Sequence, residues 1–185
     1  MIFNWHEAGH AIVQIERFPD EPIDFLSIEP HYGVQGFMSV CTDESPHCST
    51  KQEIRYRIQV ALAGREAECL SPYGSDLNTG AHDDLRKANE WARDAVLTHG
   101  MDEKYGSIVY ALSPEETYKH LPRYEQECVH AWIKQERVEV RALLKSKLAA
   151  LKAVSNALMS NKSLNHDQIV ELINLEKYHD FNNKE

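Results

Sequence analysis

His6 and His10 stand four residues apart, with Glu7 beside the first, in a stretch where Ile2, Trp5, Ala8/Gly9 and Ile12/Val13 recur at helical spacing. That spacing predicts a helix over residues 3–17. On a helix, positions i and i+4 share one face, so the two imidazoles can converge on a single cation, at about 2.0–2.1 Å each for Zn²⁺. Glu7 then lies beside the metal, where its carboxylate can take a proton from water whose pKa zinc lowers toward about 7. A chain built around such a pair must bring a third ligand to it and leave one coordination position open.

Two stretches offer that third ligand. One is the end of a predicted helix, Ala63-Gly64-Arg65-Glu66-Ala67-Glu68. The other is Thr79-Gly80-Ala81-His82-Asp83-Asp84-Leu85, with acids in the first turn of a helix. The plain reading of Asp83 and Asp84 is charge that complements the helix dipole. By residue type alone Glu68, His82, Asp83 and Asp84 cannot be ranked. Two histidines and a carboxylate also suit Fe(II), Mn²⁺ or Co²⁺ in some sites.

Around this core feature the chain reads as mainly α, with one small antiparallel β-hairpin or sheet. Phe18-Pro19-Asp20-Glu21-Pro22 breaks the first helix, and β-like runs over 23–29 and 34–40 flank Pro30-His31-Tyr32-Gly33. Residues 45–50 read as loop. Helical spacing returns over 50–70 and stops at Ser71-Pro72-Tyr73-Gly74. Another helix is expected over 80–99, with Asp76 or Thr79 as its cap and Gly100 as its stop. After Pro122 apolar residues recur for almost forty residues, as one long helix or two with a short break, and a last helix covers 167–175. The charges Lys134, Glu136, Arg137, Glu139 and Arg141 read as solvated faces of the long helix.

Composition closes off several alternatives. With 20 Lys and Arg against 29 Asp and Glu, the net charge of −9 argues against a non-specific nucleic-acid binder, which needs a basic face. No apolar run approaches the roughly 20 residues of a membrane span, and polar residues arrive too early for a signal peptide. The four cysteines (Cys41, Cys48, Cys69, Cys128) form no CxxC pair, so reduced thiols and a cytoplasmic location are expected. Cys41 and Cys48, with His47 between them, match no common zinc spacing.

The ordered series His6-Glu7-Ala8-Gly9-His10, Ala63-Gly64-Arg65-Glu66-Ala67-Glu68, Asn78-Thr79-Gly80-Ala81-His82-Asp83-Asp84-Leu85 and Gly100-Met101-Asp102-Glu103-Lys104-Tyr105-Gly106 resembles the peptidase domain of the FtsH-type ATP-dependent zinc proteases. Lys162-Ser163-Leu164 before the last helix fits the same pattern, so the resemblance covers nearly the whole chain. It implies one zinc-peptidase domain over 1–185, with a metal-site part (1–112) and a C-terminal helical part (113–185). It further implies that His6, His10 and Asp84 bind Zn²⁺, that Glu7 is the catalytic base, and that Glu68 supports a histidine ring from behind. Val34, Gln35, Gly36 and Phe37 match the region thought to hold extended substrate by strand addition, a mode that accepts many sequences because main-chain bonds carry it.

The chain departs from the family in carrying no GxxxxGK[ST] phosphate loop, since none of its eight glycines precedes a lysine. His6 also lies near the start of the sequence. A peptidase relative without an ATPase of its own, a partner of a separate ATPase, or a fragment is therefore expected. Ala63 stands where a glycine is usual, and His82-Asp83 where serine and asparagine are common. His82 is thus weighed as an extra ligand against a solvated histidine at a helix start. The expected activity is ATP-independent zinc endopeptidase cleavage of unfolded or short polypeptides. The alternative is a catalytically silent zinc-binding partner or regulator in an assembly. The family forms hexameric rings, so a homo-oligomer enters the expectations. Tyr32, Tyr105 and Tyr110 are candidates for substrate hydrogen bonds, although rim packing is the commoner use of such residues.

Overall fold

A computed structural model describes residues 2–29, 36–41, 48–74, 77–104, 106 and 123–182. Its first helix, α1 (Ile2–Arg17), is buried on every side from Asn4 to Gln14. A helix enclosed in this way must satisfy its polar side chains internally. Asn4 donates to the Ser155 carbonyl (3.1 Å) and Gln14 to the Glu21 carbonyl (3.3 Å), while His6 and His10 find partners on the next helix.

That helix is α2 (Lys51–Leu70), started by a reciprocal capping box: Thr50 Oγ1 accepts from the Glu53 N–H and Glu53 Oε2 accepts from the Thr50 N–H. It ends at Ser71, as the Ser-Pro-Tyr-Gly run predicts. The two helices cross with almost nothing between them. A Cβ on Gly9 would lie 2.5 Å from Ala67 Cβ and 2.6 Å from the Ala63 carbonyl oxygen. This close approach lets side chains of α1 reach the main chain of α2.

Strands β1 (Ile23–Ser27) and β2 (Phe37–Val40) pair antiparallel, with Leu26 opposite Met38 and an irregularity between Ile23 and Phe25. Both are shorter than the runs read from sequence. A third strand, β3 (Ser163–Leu164), pairs with β1, giving the order β2-β1-β3. Sequence reading missed it, because two residues carry no periodicity. Among the described residues β2 is consequently the outer strand.

α3 (His82–Arg93) is shorter than expected and runs into a π-helical turn (Asp94–Thr98), with Gly100 at φ 59° as the stop. Of the two proposed caps, Asp76 lies outside the described residues, and Ala81 rather than Thr79 occupies the cap position, without a side-chain bond. The turn before it is held instead by Thr79, whose carbonyl accepts from His82 N–H, and by Asn78 Oδ1, which accepts from Gly80 N–H. The long C-terminal period splits at Lys147 into α4 (Arg123–Ser146) and α5 (Leu148–Asn161), and α6 (His166–Asn182) outlasts its predicted end.

One core joins these elements: Ile12 and Ile58 bury with Val140, Leu144, Leu151, Leu158 and Ile169. Each such side chain contributes about 1.5–3 kcal/mol on burial. The charged sides of α4 are not all solvated. Glu136 accepts from Arg55 and Gln59 (2.9 and 2.5 Å), and the buried Glu66 of α2 accepts from Arg137 and Arg141 (2.5 and 2.6 Å). Among the described residues no helix is long and apolar enough to cross a membrane.

Candidate metal centre

On α2, Val60, Gly64 and Glu68 recur every four residues along the stripe facing α1, and each meets the histidine pair differently. His10 Nδ1 lies 2.7 Å from the Val60 carbonyl oxygen, and His6 Nδ1 lies 2.8 Å from Glu68 Oε1. A carbonyl oxygen has no proton to give, so His10 Nδ1 is the donor; a neutral His6 that donates through Nδ1 to Glu68 likewise turns the lone pair of its Nε2 inward. The two Nε2 atoms face each other at 3.0 Å. Asp84, in the first turn of α3, sets Oδ2 at 3.1 Å from His6 Nε2 and 3.4 Å from His10 Nε2. The ligand atoms of His6, His10 and Asp84 lie within 4.8 Å of one another, the one such group among the described residues.

Three acceptors packed this closely repel one another unless something positive lies between them. A proton can serve: burial works against a charged His6, but hydrogen bonds to Asp84 and Glu68 outweigh it and raise its pKa to about 9. Burial likewise acts upward on Asp84, yet His10 and His6 hold its carboxyl well below the usual range. A divalent cation suits the same donor set better, as two nitrogens and one carboxylate oxygen are common first-row metal ligands. Space is kept for it by Gly64. A Cβ there would come within 2.5 Å of His6 Nε2 and 2.6 Å of His10 Nε2.

Glu7 is also buried, and it lines the same cleft as Asp84. A Cβ on Gly36 would lie 2.6 Å from Glu7 Oε1, so the chain entering β2 passes directly over this carboxylate. Burial pushes the Glu7 pKa up, against the pull of His10 and His6. A cleft of about 720 Å³ opens above these residues, with Gly36, Phe37 and Met38 on one wall and Asp84, Lys87 and Trp91 of α3 on the other.

Of the residues expected to hold substrate, Gly36 and Phe37 line this cleft, while Val34 and Gln35 lie outside the described residues, as do Tyr32, Tyr105, Tyr110 and His47. His82 and Asp83 are exposed and outside the metal-ligand group. Two residues went unnoticed. Gly64 had a signal, a helix-interior glycine that costs about 1 kcal/mol relative to alanine and so calls for a packing reason. Arg65 had one as well, its i,i+3 relation to Glu68.

A mainly helical body that sets a histidine pair, an adjoining glutamate and a distant aspartate beneath a sheet edge is the architecture of a metallopeptidase domain. The sequence model of peptidase family M41 matches residues 1–172, and the chain belongs to that family. Similar proteins include "ATP-dependent zinc metalloprotease FtsH" from Syntrophobacter fumaroxidans, 28% identical across 96% of this chain and 29% of that protein. The proteins of the same name from Thermus thermophilus and Chlorobium luteolum are each 31% identical, across 91% and 93% of this chain and 28% and 26% of theirs. The chain thus spans less than a third of the length of these curated relatives.

Proposed function

We propose that this chain is a zinc-dependent endopeptidase unit that cleaves unfolded or short polypeptides. His6, His10 and Asp84 are its zinc ligands and Glu7 its general base. The observation that carries the reading is the meeting of two oriented imidazole lone pairs and one carboxylate oxygen, next to a buried glutamate at the floor of a cleft. The relatives' name as zinc metalloproteases supports zinc among the metals that fit. The core shared by α1, α2, α4 and α5 supports treating 1–185 as one working unit rather than two.

When bound, zinc supplies Lewis acidity that lowers the pKa of water and polarises the scissile carbonyl. Glu7 takes the proton of the attacking water; its burial makes it a stronger base than a surface glutamate. The same carboxyl then returns a proton to the leaving amine. Glu68 and the Val60 carbonyl hold the His6 and His10 rings in the tautomer that keeps Nε2 turned to the metal. Substrate lies extended beside β2, which is at the margin of the sheet among the described residues, so Gly36 and Phe37 bring its main chain over Glu7. Within these 185 residues no phosphate loop is found, so any ATP-driven unfolding would come from another module or chain.

Glu7→Gln tests this directly. The variant should bind zinc as the wild type does, while cleavage of casein falls by about 10²- to 10⁴-fold. Equal turnover by the two proteins would remove Glu7 from the mechanism. A zinc-loaded wild type that cleaves nothing would favour the silent-partner alternative.

A further inference from the structure

Arg65 is one position beyond Gly64 on α2, and its guanidinium bridges two parts of the metal centre that come from different elements. Its Nη2 donates to the Asn78 carbonyl oxygen (2.6 Å), and its Nη1 lies 3.0 Å from Glu68 Oε2. The second contact is one of charge rather than direction, because Glu68 Oε2 receives no hydrogen bond among the described residues. Glu68 is fully buried, and its other oxygen faces His6 Nδ1. Asn78 begins the turn that leads into α3. Its side chain accepts from Gly80 N–H, and Asp84 follows at the start of the helix.

We propose that Arg65 is a positioning residue for the metal centre. It balances the buried Glu68 carboxylate that orients His6, and by the same side chain it fixes the turn that delivers Asp84. The inference rests on the zinc reading above. The physical case has two parts. A carboxylate sealed from water requires a compensating charge; Arg65 is the permanent cation beside Glu68, whereas the charge on His6 lasts only while that ring holds its second proton. Asp84 is the one proposed ligand that does not come from α1, so its distance from the imidazoles depends on how its turn is tied to α2. α3 packs on α2 directly, and the Arg65–Asn78 bond is the polar tie that fixes the turn ahead of it. Guanidinium is suited to the task because its planar fork can meet two acceptors at once, whereas a lysine ammonium can keep the charge but not both contacts.

The test reads zinc affinity rather than turnover, by competition with a chromophoric chelator on the whole chain. Thermal melting of the metal-free proteins serves as the folding control. Arg65→Gln should weaken zinc by about 10- to 100-fold, the range seen when residues supporting metal ligands are lost. Arg65→Lys should fall between it and the wild type. In the Glu68→Gln background, where no buried charge remains to balance, Arg65→Gln should cost clearly less than it does alone. A folded Arg65→Gln protein with wild-type affinity overturns the proposal, as does an equal loss in both backgrounds. Should Arg65→Gln fail to fold, the Arg65→Lys and Glu68→Gln/Arg65→Lys pair carries the same comparison. A wild type that binds no zinc would instead count against the zinc reading itself.

Discussion

At the scale of single residues, the centre depends as much on a missing side chain as on those present. Gly64 sits in mid-helix, where glycine is about 1 kcal/mol worse than alanine, and the compensation is room for the two rings. Gly64→Ala should help α2 locally yet drive a methyl group to within 2.5 Å of His6. Overpacking of this kind costs about 1–3 kcal/mol; if the rings absorb it by turning away, zinc affinity drops by about 10- to 100-fold. Chelator competition on a protein with unchanged circular dichroism would show it; undiminished affinity would mean that the rings do not border the metal. The histidine pair itself was legible from sequence because i,i+4 geometry is local. Asp84 was not legible from residue type, since Glu68, His82, Asp83 and Asp84 are equal by that measure; the family resemblance singled it out, and in the structure it is the one of the four whose carboxylate joins the two Nε2 atoms. Glu68 reaches the other nitrogen of His6, and His82 and Asp83 face solvent.

At the scale of elements, helices with long apolar periods were readable, and what joins them was not. The two-residue β3 leaves no pattern of its own, and the break at Lys147 lies inside an unbroken apolar period. Charges on α4 that look like a wet face include the partners of Glu66, because burial of a polar residue depends on what packs over it. This pairing is asymmetric. Glu66 is 1% exposed, whereas the side chains of Arg137 and Arg141 are 54% and 41% exposed. Removing the arginines strands a buried charge, at a cost of about 3–5 kcal/mol. Removing the glutamate leaves two cations that water can reach. Arg137→Ala/Arg141→Ala should therefore destabilise the protein well beyond Glu66→Met, as urea unfolding midpoints would report. The reverse order would place the weight of this contact in packing rather than charge.

For the molecule as a whole, folding and metal uptake are linked through the same proton. His6 has a pKa near 9 in the metal-free fold against 6.5 when unperturbed. Its contribution to stability is thus fully present below pH 6.5 and is lost as pH rises through about 9. Asp84 acts at the other end: its carboxyl is held below the usual range, so its contribution is present above the ordinary carboxylate pKa and fades as pH falls past it. Zinc must displace the His6 proton, so its apparent affinity should climb by up to about tenfold per pH unit between pH 7 and 9. A ligand at a thousandfold excess over its Kd adds about 4 kcal/mol to the fold. These two effects oppose each other in the metal-free and loaded proteins. As pH rises from 6.5 to 9, the metal-free protein should lose melting temperature while the zinc-loaded one gains or holds it. Paired melts at the two pH values, with free zinc held constant by a metal buffer, would measure the widening gap. A gap that stays constant would mean that no proton is exchanged for the metal at His6, and that the cation sits somewhere other than between the two imidazoles.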